Sequence, residues 1–170
     1  MNENLINFKI LDCTLRDGSY VNDFQFTAED TKVISKALEV IGFEYIEVGH
    51  GVGLGASEKT RNVAAASDKE YMEAAQEVLT TSKWGMFCIP GVASLDDVQL
   101  CSDMGMDFIR IGVNVTEVEK SEEFIKKAKK LNMEVCTNFM KSYVLEPLDF
   151  AKQARISLEY GSDVVYLVDS

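Results

Sequence analysis

Asp12-Cys13-Thr14-Leu15-Arg16-Asp17-Gly18 follows directly on the apolar run Phe8 to Leu11. An apolar run that ends in Arg-Asp-Gly reads as a strand delivering a cation and a carboxylate side by side into a loop. Such a pair can hold a metal ion beside a developing negative charge, which is what making and stabilising an enolate requires. An Arg-Asp dipeptide alone is more commonly a surface strand end closed by an ion pair. The neighbouring residues, and Glu47 at the end of the next apolar run, favour the chemical reading.

Along the rest of the chain, apolar runs alternate with amphipathic segments. The expected strands are 8–13, 45–49, 85–89, 108–113, 134–139 and 164–168, mostly apolar at consecutive positions, as in a parallel sheet covered on both faces. The segments between them carry helix punctuation. Thr27 and Asp30 form a capping box ahead of the stripe Val33, Ile34, Ala37, Leu38 and Ile41, which Gly42 ends. Asp68 precedes a second stripe from Tyr71 to Leu79, and Ser94 with Asp97 repeats the box, with Gly105 as the stop. Ser121 is expected to start a helix ended by Asn132, and Pro147 to sit in the first turn of one closed by Gly161.

Alternating βα units suit either an open doubly wound sheet or a closed eight-stranded barrel. No dinucleotide-type glycine spacing follows the first strand. Polar residues instead cluster at the C-terminal ends of strands: Arg16 and Asp17, Glu47, Asn114, Asn138 with Lys141, and Asp169 with Ser170. The fold class is therefore α/β, a TIM (β/α)8-type barrel. A whole barrel takes roughly 250 residues, so 170 residues are expected to form a single domain, 1–170. It would be an incomplete N-terminal portion with six parallel strands, its last two βα units missing.

A net charge of −11 argues against a nucleic-acid or anionic-membrane partner. The lysines between 126 and 130 read as the solvated face of a helix. No apolar run approaches the roughly 20 residues that span a bilayer, and the first ten residues lack the features of a signal peptide. The four cysteines, Cys13, Cys88, Cys101 and Cys136, show no CxxC spacing. They read as buried free thiols in a reducing, cytoplasmic setting. His50 is the single histidine, so an imidazole-rich metal site cannot come from this chain alone.

DCTLRDG followed by YIEVGHGVGLGAS resembles the DRE-TIM metallolyase superfamily, the HMGL-like or pyruvate-carboxyltransferase-like barrels, and within it the 4-hydroxy-2-oxovalerate aldolases. The likeness continues through Ile89-Pro90-Gly91, Val115-Thr116-Glu117, Asn138 to Tyr143 and Tyr166 to Ser170. The resemblance implies an aldolase or lyase that takes a small-molecule 2-oxo acid through a pyruvate-type enolate and releases an aldehyde. It implies Asp17 as a ligand to Mn2+ or Mg2+, for which a carboxylate oxygen is suited. Arg16 would bind substrate and stabilise the enolate oxygen, Glu47 would hold Arg16, and Ser170 would lie near the bound oxo acid. A buried guanidinium deprived of its partner should cost about 3–5 kcal/mol.

Two positions depart from the family pattern. Where the aldolases carry a histidine base, two residues after the RDG glycine, this chain has Tyr20. A phenol with an ordinary pKa of about 10 is a poor base at neutral pH. Tyr20 either donates a hydrogen bond or leaves the base to another group. The family's remaining metal ligands, an HxH pair on the seventh strand, are expected beyond residue 170, so the chain as given would be inactive alone. His50 either contacts substrate or orders the Gly-rich loop 51–55. Asp12 reads as a loop-tying residue, and Phe87 and Ile89 as core packing or the wall of an acceptor pocket.

Two other readings share these motifs. One is a Claisen-type acyl-CoA synthase or lyase of the same superfamily. The other is a non-catalytic interaction module, whose open sheet edges would pair with another copy as a homo-oligomer or with the missing C-terminal region.

Overall fold

A computed structural model describes residues 8–59 and 63–169. Its sheet holds six parallel strands in the order β1-β2-β3-β4-β5-β6: β1 (Leu11–Asp12), β2 (Tyr45–Val48), β3 (Lys83–Cys88), β4 (Phe108–Asn114), β5 (Glu134–Met140) and β6 (Val164–Leu167). Helices α1 (Ala28–Ile41), α2 (Ala56–Lys59), α3 (Asp68–Val78), α4 (Leu95–Asp103), α5 (Glu122–Lys130) and α6 (Pro147–Tyr160) make the crossovers. Sequential strand order without a reversal is the winding of a barrel wall; a doubly wound sheet would change direction at a switch point.

Side chains show the curl directly. Tyr45 on β2 reaches Glu134 on β5 at 3.1 Å from hydroxyl to Oε2. Across a flat sheet those strands would stand roughly 14 Å apart. The wall is a half-barrel, concave on one side and covered by helices on the other. Alternation along each strand sorts the residues. Ile46, Val48, Trp84, Met86, Cys88, Ile109, Ile111 and Val135 pack with Met72, Ala75, Val98, Cys101, Ile125 and Ala128 of the helices in one buried core. The intervening positions, among them Glu47, Phe87, Arg110 and Asn138, face the concave side.

Capping boxes hold α1 through Thr27 and Asp30 and α4 through Ser94 and Asp97, as the spacing predicts. Gly42 and Gly161 close α1 and α6 in the left-handed region, where a side chain would be strained. Ser67 caps α3, with Glu70 completing the box, and Asp68, the first helical residue, accepts from Gly55 N at 2.6 Å. Ser121 has helical dihedrals and donates to the Val118 carbonyl at 2.6 Å, because a 3-10 turn runs straight into α5. β1 is shorter than the apolar run suggests, since its pairing with β2 starts only at Leu11 opposite Tyr45. No helix among the described residues is long and apolar enough to cross a membrane.

Candidate active site

Immediately after β1 the chain tightens, with Asp17 N and Gly18 N donating to the Cys13 carbonyl at 2.8 and 3.3 Å. Asp12 ties this turn by accepting from Thr14 N and Oγ1 at 2.9 and 3.0 Å. The turn throws Arg16 inward, where Nε donates to Glu47 Oε2 at 2.6 Å and Nη1 to Asp17 Oδ1 at 2.8 Å. Burial works against the charge on Arg16, but Glu47 and Asp17 more than offset it and hold its pKa above the ordinary value.

Glu47 has no solvent exposure and serves two guanidiniums. Arg110, from the middle of β4, donates from Nη1 to both of its oxygens at 3.0 and 2.9 Å and from Nη2 to Asn138 Oδ1 at 2.5 Å. The same Nη1 meets Cys13 Sγ at 3.3 Å. Aromatic faces fill the spaces between these planes. The Phe87 ring centre lies 4.7 Å from Arg16 Cζ and 5.5 Å from Arg110 Cζ, and Tyr166 lies 4.7 Å from Arg110 Cζ. Gly112 gives Phe87 its room, since a Cβ there would stand 2.3 Å from the ring. A guanidinium stacked on a ring and hydrogen-bonded in its plane has little freedom left.

Above this layer opens a cavity of 520 Å³, and Arg16, Asp17, Tyr20, Phe87, Arg110 and Asn138 are among its walls. It lies at the C-terminal ends of the strands, where barrel enzymes place their chemistry. Burial pushes the Tyr20 phenol pKa up, Arg16 opposing and Asp17 adding to the rise. The Cys13 thiol is pushed up to about 12 by burial and by the charge of Glu47, so it stays protonated at neutral pH.

The structure thus brings Arg16, Asp17, Tyr20 and Glu47 to one place, with Glu47 beneath the cavity floor. His50 does not line the cavity. It is buried, its ring stacked 4.1 Å from Phe24, and its Nδ1 accepts from Val52 N at 3.0 Å. Ser170 lies outside the described residues. Phe87 and Ile89 wall the cavity, which favours the pocket reading of both over plain core packing. Arg110 escaped the sequence reading, although a lone arginine inside the apolar run Phe108-Ile109-Arg110-Ile111 was its signal: a charge so placed needs a buried partner.

As to a metal, Asp17 offers a hard oxygen donor on an exposed side chain at the cavity, which suits Mg2+ or Mn2+. Among the described residues no group of three or more His, Cys, Asp or Glu comes together as a metal centre. The chain fits such an ion in kind of donor, with one ligand rather than a set.

A half-barrel with a buried Arg–Glu–Arg cluster under a C-terminal-face cavity places the chain in the class of TIM-barrel-type α/β proteins. Its wall superposes on Rhizobium etli pyruvate carboxylase with a TM-score of 0.76 at 14% identity, covering 96% of this chain and 18% of that one. The isolated carboxyl transferase domain from that enzyme gives 0.75, also at 14% identity, over 96% of this chain and 31% of the domain. At such identities the likeness establishes the fold. Residues 7–170 match the HMGL-like family model, and the chain belongs to the HMGL-like family. It is 38% identical over 162 residues to a 4-hydroxy-2-oxovalerate aldolase of Carboxydothermus hydrogenoformans, covering 95% of this chain and 48% of the relative. An oxaloacetate decarboxylase of Mycobacterium tuberculosis is 37% identical over 161 residues, with 95% and 47% covered. The chain spans about half the length of these curated relatives.

Proposed function

We propose that this chain supplies the enolate-stabilising part of a carbon–carbon lyase acting on a 2-oxo acid, of the 4-hydroxy-2-oxovalerate aldolase kind. The observation that carries the reading is Arg16, locked by Glu47 at 2.6 Å and by Asp17 at 2.8 Å on the wall of the cavity. Among the described residues nothing accepts from its Nη2. A cation held this way is preorganised for a keto oxygen that gains charge as the neighbouring carbon–carbon bond breaks. The electron pair of that bond becomes the enolate, the aldehyde departs, and the substrate hydroxyl passes its proton to a general base other than Tyr20, contributed from outside the described residues.

Asp17 would hold a divalent cation, with the remaining ligands contributed from outside the described residues. When bound, such an ion supplies Lewis-acid polarisation of the oxo acid. Glu47 and Arg110 keep Arg16 from swinging out of line. Tyr20, with its phenol pKa raised, acts as a hydrogen-bond donor at neutral pH. His50 orders the loop 51–55 through Val52.

Tyr20 also favours a second reading. Decarboxylation of an oxaloacetate-type substrate reaches the same enolate by losing CO2, and needs no base for a hydroxyl proton. The test in the intact protein is exchange of pyruvate methyl protons with deuterated water. Exchange should be present and should vanish in Asp17→Asn; undiminished exchange in the variant sinks the enolate reading. Cleavage of 4-hydroxy-2-oxovalerate against decarboxylation of oxaloacetate then separates the two substrates.

A further inference from the structure

We propose that Asn138 donates from Nδ2 to an oxygen of the bound oxo acid, and that Arg110 is the positioning residue that turns this amide toward the cavity. The proposal rests on the enolate reading above and adds a second ligand donor to Arg16. Asn138 faces the concave side of β5, is 3% exposed and lines the cavity. The orientation of its amide follows from chemistry. Arg110 Nη2 stands 2.5 Å from one end of the amide, and a guanidinium has five donors and no acceptor. The end it meets must be the oxygen, so the NH2 group is turned away from Arg110.

Among the described residues nothing accepts from Asn138 Nδ2. Among the described residues the sealed side-chain atoms without a partner are Ser35 Oγ and Arg110 Nε, so Nδ2 is not one of them and reaches the cavity. Two donors, one charged on Arg16 and one neutral on Asn138, thus open on the same space beside the apolar face of Phe87. That arrangement complements a small planar carboxylate such as a 2-oxo acid or its enolate. Arg110 acts through Asn138 and does not itself serve the ligand. Its Nη1 is committed to Glu47 and Cys13, its Nη2 to Asn138, and its face to Tyr166.

The test uses oxalate, a planar dicarboxylate shaped like the enolate, titrated calorimetrically into the intact protein in buffer containing Mg2+. Asn138→Asp keeps the side-chain shape and gives Arg110 an anionic partner, but replaces the donor by an acceptor. Oxalate should bind at least about ten-fold more weakly, the size of one lost hydrogen bond to a charged group, with no fall in melting temperature. Arg110→Lys keeps a cation beside Glu47 without the rigid fork. It should weaken oxalate binding too, and the double variant should be little worse than the weaker single one, because a released amide has no orientation left to lose.

Wild-type-like binding by Asn138→Asp, binding loss that tracks a loss of melting temperature, or strictly additive losses would each overturn the proposal. If Asn138→Asp does not fold, Asn138→Ser, which keeps an acceptor for Arg110 but not the reach into the cavity, is read in the same way. A wild-type protein that neither binds oxalate nor exchanges pyruvate protons defeats the enolate reading and this proposal together. Normal wild-type binding with an indifferent Asn138 defeats this proposal alone.

Discussion

Arg110 Nη1 sits 3.0 and 2.9 Å from the two oxygens of Glu47, joining β4 to β2 across the concave face. Arg16 approaches the same carboxylate from β1's loop at 2.6 Å. One fully buried anion therefore orders two cations, and its loss would leave Arg110 without an anionic partner and Arg16 with Asp17 alone.

Glu47→Gln should accordingly destabilise the protein by about 3–5 kcal/mol, the cost of leaving buried charge unpaired. Urea denaturation measures this directly. A stability within experimental error of the wild type would show that the cluster relaxes or hydrates freely, contrary to its burial.

Gly112→Ala tests the aromatic spacer between the arginines. The new Cβ would stand 2.3 Å from Phe87 Cζ and 2.9 Å from Cε1, so the ring must move. Overpacking of this kind costs about 1–3 kcal/mol. Gly18→Ala, whose Cβ would meet nothing nearer than Thr14 Cγ2 at 3.9 Å, should change stability far less. Equal effects in denaturant melts would contradict the packing around Phe87.

Acid sensitivity should trace in part to Glu39. Its carboxylate bonds Lys36 and accepts from Thr80 N, Thr81 N and Ser82 N at 2.7, 2.7 and 3.0 Å. Lys36 first, then these backbone donors, hold its pKa well below the usual carboxylate range. A depressed native pKa contributes stability that is present above the unfolded value of about 4.3 and is lost as the pH falls below it. Melting temperatures between pH 6 and 2 should therefore drop less steeply in Glu39→Gln than in the wild type. Parallel profiles would refute the assignment.

Cys13 should alkylate slowly although it borders the cavity. With its thiol pKa pushed up to about 12, little thiolate exists at pH 8. Reaction with iodoacetamide should be slower than in the urea-unfolded chain by more than about a hundred-fold, since the thiolate is the nucleophile. Rapid native labelling at Cys13, located by peptide mass mapping, would count against the neutral thiol.

How much of this was legible beforehand differs by residue. Thr27 with Asp30 and Ser94 with Asp97 announce their helices because a capping box is closed within four residues. Arg16, Asp17 and Glu47 stand at strand ends that apolar runs mark plainly. Ser121 marks the start of α5 correctly, but its hydroxyl donates to Val118 instead of capping, because a serine ahead of an amphipathic stripe looks alike whether a 3-10 turn precedes it or not. Phe87 was ambiguous because a ring in an apolar strand reads the same on either face, and only the curl of the sheet tells which face is hollow.

By itself the amino-acid order determined the alternation of strands and helices, since that rests on periodicity and on capping hydrogen bonds closed within four residues, and it marked Arg16, Asp17 and Glu47 at strand ends. The tertiary structure alone decided that Arg110 serves Glu47, 63 residues away, and Asn138, 28 residues away. Those partners lie on separate strands, and they meet because the parallel sheet twists and closes its concave face, bringing inward-pointing side chains within hydrogen-bond distance.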